Sequence, residues 1–288
     1  MTKQLFDINK LRCTSCNSSL QLNEAKDKAI CSSCGSSFEV KNNKYMFVHV
    51  NEEVVSDGLD KIKFFVKKYH VFYNFLVEMI SPVYPLANIH TRRIIRKKIA
   101  GKGLTAINLG SGYSNHSPYL YNVDLLPYPP VDITCDIGNL PFADNSLDYI
   151  LNVAVLEHVP DPDLAISEMY RVLKPGGELY CFIPFIQGFH ASPFDFQRFT
   201  KEGMKVRFKK FEIEKVIPTG PTSGFLWIAQ EWFATLLSFG IKPLHTLLHI
   251  FFMCTTWPLK FLDIIFDHHP MAHNIASGFS VIVKKPHS

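Results

Sequence analysis

A chain of 288 residues is long enough for one large core, or for one core with a small module attached. Its 47% hydrophobic and 13% aromatic content excludes a disordered or low-complexity polymer. A net charge of +4 excludes a uniformly basic or acidic surface, but the charge is uneven: residues 1–103 carry +8 and the remainder −4. The first third is therefore expected to face something anionic, RNA or a membrane surface, unless its basic residues only form a solvated face. The opening segment MTKQLFDINK lacks the apolar stretch of a secretory signal. Seven cysteines, four of them in paired spacing, suit a reducing compartment. A cytoplasmic location is expected, including the inner face of the membrane.

In chain order, the first feature is Cys13-x2-Cys16, fourteen further residues, then Cys31-x2-Cys34. Two such knuckles can each place two thiolates on one tetrahedral ion, which is a zinc spacing. The alternative is a pair of disulfides, which the expected compartment disfavours. A unit this small cannot fold on apolar burial alone, so metal would supply its folding energy. Residues 1–50 are expected to be a zinc ribbon with structural Zn2+. It resembles the ribbons of small activator proteins of tRNA methyltransferases and of some rRNA guanine methyltransferases.

Residues 51–103 read as a linker followed by basic amphipathic helices. Residues 51–58 are polar and acidic. Residues 59–80 repeat apolar side chains at helical spacing, with Lys61, Lys63, Lys67 and Lys68 over much of the other face. Pro82 and Pro85 break that helix. Residues 91–98, TRRIIRKK, predict a second basic helix. Either helix could pack on the core or meet phosphates, in RNA or in lipid headgroups.

From residue 104 the pattern changes. Apolar runs at 106–109, 121–123, 133–135 and 149–151 each end at a glycine loop, an acid or an asparagine. Continuous apolar runs suit strands buried on both faces of a parallel sheet, and ligands of such sheets bind outside the carboxyl ends of the strands. The runs lead to Gly110-Ser111-Gly112, to Asp124, to Asp136 within CDIGNLPF, and to Asn152-Val153, then V-L-E-H-V and E-M-Y-R-V-L-K-P-G-G. In this order the motifs resemble those of class I S-adenosylmethionine (SAM)-dependent methyltransferases of the small-molecule type, over roughly residues 104–217. The resemblance implies a doubly wound, seven-stranded, Rossmann-like α/β sheet. It implies SAM held by Asn108, Gly110, Ser111 and Gly112 at its amino-acid end and by Asp124 and Leu125 at its ribose. Asp136 and Ile137 would lie near adenine, with Asn152 and Val153 flanking the cofactor. Two positions depart from the family: Asn108 stands where an acid is usual, and Ser114 where a third glycine is usual. Only eleven residues separate Gly112 from Asp124, so the first crossover helix is expected to be a short turn or absent. The His of Glu157-His158 reads as a hydrogen-bonded structural residue. Asp161-Pro162 is expected to cap a helix running to Val172.

Beyond the fifth strand, expected at 178–183, residues 184–200 leave the carboxyl edge beside the methyl donor. His190 is the candidate general base, with Asp195 and Arg198 orienting it or the acceptor. Methyl transfer can also proceed by in-line positioning without a base. Strands six and seven are expected at 211–217 and 278–283, separated by an apolar insertion, residues 218–277. Two or three amphipathic helices are expected there, capping the pocket or dipping into one leaflet; packing on the core and a protein partner are the alternatives. The domains are thus 1–50, 51–103 and 104–288. The expected activity is methyl transfer to an apolar or amphiphilic small molecule, such as a lipid-linked or cell-envelope intermediate. Peripheral membrane contact would come through 218–277 and the basic helices. An RNA methyltransferase is the second choice; the absence of N-P-P-Y or D-P-P-Y after the fourth strand argues against methylation of base amines. A methyltransferase-like protein without activity is the third.

Overall fold

A computed structural model describes residues 3–48, 81–82, 87–190 and 194–287. The expected helix at 59–80 and the linker before it lie outside the described residues.

Four short strands come first: β1 (Leu20–Leu22), β2 (Lys28–Cys31), β3 (Ser37–Lys41) and β4 (Lys44–Met46). They pair antiparallel in order, and β3 alternates exposed and buried side chains, as a ribbon with one wet face must. Helix α1 (Ala87–Lys98) precedes the parallel core, β5 (Ala106–Leu109), β6 (Tyr121–Asp124), β7 (Ile133–Thr134) and β8 (Leu147–Val153). Then follow α2 (Pro162–Val172), β9 (Leu173–Pro184), α3 (Lys201–Arg207), β10 (Glu212–Thr219), α4 (Pro221–Leu237), α5 (Lys242–Thr256) and β11 (Gly278–Lys284).

Among the described residues these strands form one sheet, in the order β1-β2-β3-β4-β7-β6-β5-β8-β9-β11-β10. The last seven have the expected arrangement: β5 through β9 parallel, β11 antiparallel to β9, and β10 antiparallel to β11. The cysteine-bearing strands are not a loose appendage. Strand β4 pairs in parallel with β7, Tyr45 opposite Ile133 and Met46 opposite Thr134. Phe6 meets Tyr121 and Phe142 edge-on at 4.8 and 5.4 Å, and the Tyr45 hydroxyl donates to the Phe6 carbonyl.

Helices cover both faces. Side chains alternate along each strand, so neighbours in sequence serve opposite layers. Ile107, Leu109 and Ile150 join Ile166, Met169 and Phe208 on one side, while Ala106, Tyr149 and Leu151 meet Ile95 and Ile99 of α1 on the other. Helix α1 turns Arg92, Arg93, Arg96 and Lys97 outward, and Lys98 pairs with Glu178 at 2.8 Å. As the short spacing required, residues 111–120 contain no helix. Asp161 caps α2 by accepting from the Leu164 amide, and Lys285 donates to the carbonyls of Tyr170 and Leu173 at its other end, each at 2.8 Å.

The insertion leaves β10 at the carboxyl edge and returns to β11 at the same edge. Asp263 is fully buried and binds the first turn of α4: its carboxylate accepts from the Ser223 amide at 3.0 Å, the Ser223 hydroxyl at 2.6 Å and the Thr222 amide. Asp267 accepts from the Gly220 amide at 2.8 Å. Carboxylates satisfy the free N–H groups at a helix N-terminus, so the end of the insertion fastens its own beginning.

Candidate active site

The carboxyl edge gathers the sequence-predicted residues from four strands. Gly110 follows β5 with φ +75°, and a Cβ there would lie 2.2 Å from the Val155 side chain. Glycine is required at that position on both counts. The amides of Gly110 and Ser111 donate to the Val123 carbonyl, and the Gly112 amide donates to Asp124 Oδ2 at 2.7 Å. Asp124 Oδ1 accepts from the Leu126 amide at 3.1 Å. Each oxygen thus keeps a lone pair for another donor. Burial raises the Asp124 pKa against those amides. Leu125, beside it, is exposed.

Asp136 lies two residues past β7, exposed, with Oδ1 accepting from the Gly138 amide at 2.8 Å; Ile137 is half-buried. The asparagines are placed differently. Asn152 is fully buried, donating to the Leu109 carbonyl at 3.1 Å and accepting from the Cys181 thiol. Asn108 donates to Asn122 Oδ1 at 3.3 Å. Both side chains join neighbouring strands, so backbone is what these positions offer at the edge. Val153, half-buried, pairs with Phe182.

On the acceptor side, residues 185–190 and 194–200 lie against the turn after β8. Phe196 donates its amide to the Glu157 carbonyl, and Gln197 donates to the carbonyls of Leu156 and Val159. Arg198 forks onto Asp195, and Nη2 also reaches the Gly188 carbonyl at 2.9 Å. This guanidinium holds the Asp195 carboxyl down at about 2. Asp195 also accepts the His190 amide at 2.8 Å. His190, Asp195 and Arg198 therefore form one cluster. Burial alone would lower the His190 pKa, but Glu157 and the Gly188 carbonyl outweigh it, so the net shift is upward. Trp227, from α4, lies over the His190 ring with centroids 5.3 Å apart.

The strand order and the carboxyl-edge acids are joined by a match in sequence. Residues 107–181 match the family described as a methyltransferase domain. Residues 107–181 are a methyltransferase domain. Within it, a demethylmenaquinone methyltransferase of Staphylococcus haemolyticus is 54% identical over 46 residues, covering 16% of this chain and 19% of that protein. A protein of the same name from Listeria welshimeri is 45% identical over 62 residues, covering 22% and 23%. The chain thus aligns with about a fifth of the length of those relatives. Among solved structures, a phosphoethanolamine N-methyltransferase 2 of Haemonchus contortus bound to SAM superposes with a TM-score of 0.43 at 19% identity, over 68% of this chain and 52% of that one.

Several features of this methyltransferase domain fit SAM. The Ser111 hydroxyl is buried with no hydrogen-bond partner, in the glycine loop itself. At Gly112 nothing lies within 4 Å of where a Cβ would stand, which leaves room for a ligand, and Asp124 keeps acceptor capacity towards a vicinal diol. Bound there, SAM would supply an electrophilic methyl group.

The four cysteines are free of disulfides and converge. Cys13 and Cys34 have sulfurs 3.6 Å apart, Cys16 and Cys31 3.4 Å, and all four lie within 4.8 Å of one another. Tetrahedral zinc with Zn–S bonds of about 2.3 Å separates its sulfurs by about 3.8 Å, so the set fits that ion. Hydrogen bonds with Ser36 lower the Cys34 thiol to about 6, which favours the thiolate a metal needs.

Ser111 is one of the residues expected from sequence, though its lack of a hydrogen-bond partner is visible only in the structure. Two other residues of the site carry no such expectation. Trp227 lay among many apolar residues, with nothing to mark it. Glu157 stood in V-L-E-H-V as an acid after a strand, but its proximity to His190, 33 positions on, is a product of the fold.

Proposed function

We propose that this chain transfers the methyl group of SAM to an apolar or amphiphilic small-molecule acceptor, a quinone-like or lipid-linked compound. The observation that carries the reading is Trp227 of the apolar insertion lying against His190 at the cofactor edge. An acceptor reaching the methyl group would pass along an apolar wall carrying few polar groups, the usual character of a small-molecule site. The partial identity to demethylmenaquinone methyltransferases supports the same acceptor class.

The insertion also supports peripheral contact with a membrane, at its cytoplasmic face. Nineteen large apolar side chains between residues 225 and 275 are exposed, among them Trp232, Phe239 and Ile265. That concentration exceeds the scattered exposure of ordinary surfaces. By length and composition the helical stretch Lys242–Phe266 would suffice to cross a bilayer. Lys260 and Asp263 within it are fully buried against the protein, and Lys260 donates to the Ser81 carbonyl, which favours lying on the surface over spanning. The cysteine cluster is assigned structural zinc.

His190 stands against this wall, and Asp195 and Arg198 fix its loop. The Gly188 carbonyl and ring packing on Trp227 set the orientation of its imidazole, and the methyl passes by in-line positioning of the acceptor, which requires no base. The test is to incubate the purified protein with methyl-labelled SAM and either a lipid or an RNA extract from cells lacking it. Label in a lipid-soluble product supports the proposal. Label confined to RNA, or SAM binding with no labelled product from either extract, overturns it.

A further inference from the structure

Glu157 is fully buried, and neither carboxylate oxygen has a hydrogen-bond partner. A fully buried carboxyl group with no hydrogen-bond partner is costly, so this one calls for a counterpart. Arg198 does not serve, because its fork is given to Asp195 and to the Gly188 carbonyl. What faces Glu157 are two imidazoles. His158 Nε2 lies 3.7 Å from Oε1, and His190 Nε2 lies 3.8 Å from the same oxygen. Both separations are too long for hydrogen bonds.

Both distances suit ligands of one ion. Bonds of about 2.0–2.2 Å place two ligands of a common ion at most about 4.4 Å apart. The three donor atoms all lie within 4.8 Å of one another, so a small side-chain rotation closes the set. The far side of each ring agrees. His158 Nδ1 faces the Phe194 carbonyl, and His190 Nδ1 faces the Gly188 carbonyl at 2.9 Å, closer than Arg198 Nη2 at 3.3 Å. Each carbonyl can only accept, so these contacts assign the ring proton to Nδ1 and leave both Nε2 lone pairs aimed at Glu157. Metal-binding histidines are usually held in this way.

We propose that Glu157, His158 and His190 form a second metal site, for a divalent cation such as Mn2+, Fe2+, Co2+ or Zn2+. Two imidazoles and one carboxylate leave coordination positions open. Glu157 and His158 follow the fourth core strand and His190 follows the fifth, so the site lies on the acceptor side of the edge. An open position would take an oxygen of the acceptor, which narrows its class to hydroxyl- or carbonyl-bearing compounds. That last step rests on the methyltransferase reading; the cation site itself does not.

The experiment keeps the two apart by omitting SAM and acceptor. Full-length protein with its cysteine cluster loaded with zinc is titrated with Mn2+, and free Mn2+ is followed by its electron paramagnetic resonance signal. Thiolates have little affinity for Mn2+, so the ribbon does not compete. Co2+ added to the same protein should give weak ligand-field bands without thiolate charge-transfer absorption. The expected result is one Mn2+ per chain, bound at least about 100-fold more weakly after His190→Ala, the upper end of what loss of a mere outer-shell partner costs. Glu157→Gln should do the same; as Glu157 is buried, His190→Ala, at a half-buried position, serves if that variant does not fold. Wild-type protein that binds neither Mn2+ nor Co2+ beyond the ribbon, or a folded His190→Ala variant that binds as tightly as wild type, overturns the site.

Discussion

The Gly112 amide donates to Asp124 Oδ2 at 2.7 Å, which ties the loop after the first core strand to the acid after the second. The carboxylate thus fixes the glycine loop and keeps acceptor capacity, which the proposed function gives to SAM. Asp124→Ala should weaken SAM binding by about 10- to 100-fold, the loss expected for one or two hydrogen bonds to a charged group. Asp124→Asn, which keeps the shape, should lose less. Isothermal calorimetry with SAM checks both. Because burial raises the Asp124 pKa, affinity should begin to fall on acidification at a higher pH than for a surface aspartate.

Arg171 explains why E-M-Y-R accompanies the acids in sequence. Its guanidinium forks onto Glu168, pairs with Asp144 at 2.7 Å and donates to the carbonyls of Leu140 and Phe142. Glu168 also accepts the Leu140 amide. Together they brace the L-P-F segment that follows Asp136. Arg171→Met should cost about 2 kcal/mol, because it leaves a partly buried carboxylate and two carbonyls without their donor. Thermal unfolding measures that loss, and hydrogen exchange should rise first at residues 137–144.

What the sequence disclosed depended on whether a feature was local. The seven core strands, the missing first crossover helix and the cap at Asp161 follow from runs and spacings a few residues long. The cysteine pairs are legible for the same reason. The pairing of β4 with β7 was not, because Tyr45 and Ile133 are far apart in the chain and neither carries a pairing signal. Asn108 and Asn152 stand at strand ends where a ligand contact is expected, yet the fold uses their amides between strands. The convergence of Glu157 with His190 depends on how the chain leaving β9 turns towards the end of β8, which no periodicity encodes.

Metal removal should therefore reach further than the ribbon. Strand β4 holds β7 through Tyr45 and Met46, and β7 leads directly to Asp136. A chelator strong enough to strip the cysteine cluster should release one zinc per chain, lower the melting temperature and weaken SAM binding together. Cys34→Ser should reproduce all three effects. Zinc release without a change in SAM affinity would show that β7 keeps its place without β4.

The exposed insertion leads to the last prediction. Phe239, 84% exposed, and Ile265, 67% exposed, are among the exposed apolar side chains of the insertion, as is Trp232. Burying such side chains in lipid returns about 1.5–3 kcal/mol each, so two or three can hold a protein at a bilayer without a spanning helix. Liposomes should co-sediment the protein and shift its tryptophan emission to the blue. Phe239→Glu with Ile265→Glu should release it while leaving SAM binding unchanged, since neither side chain is part of the cofactor edge. Binding that depends on anionic lipid and disappears at high salt would instead assign the contact to the basic face of α1, where Arg92, Arg93, Arg96 and Lys97 face solvent. Binding to neutral vesicles that survives salt assigns it to the insertion. The second outcome is expected, because nineteen large apolar side chains are exposed between residues 225 and 275, against one exposed lysine, Lys242, and a Glu231 engaged by His245.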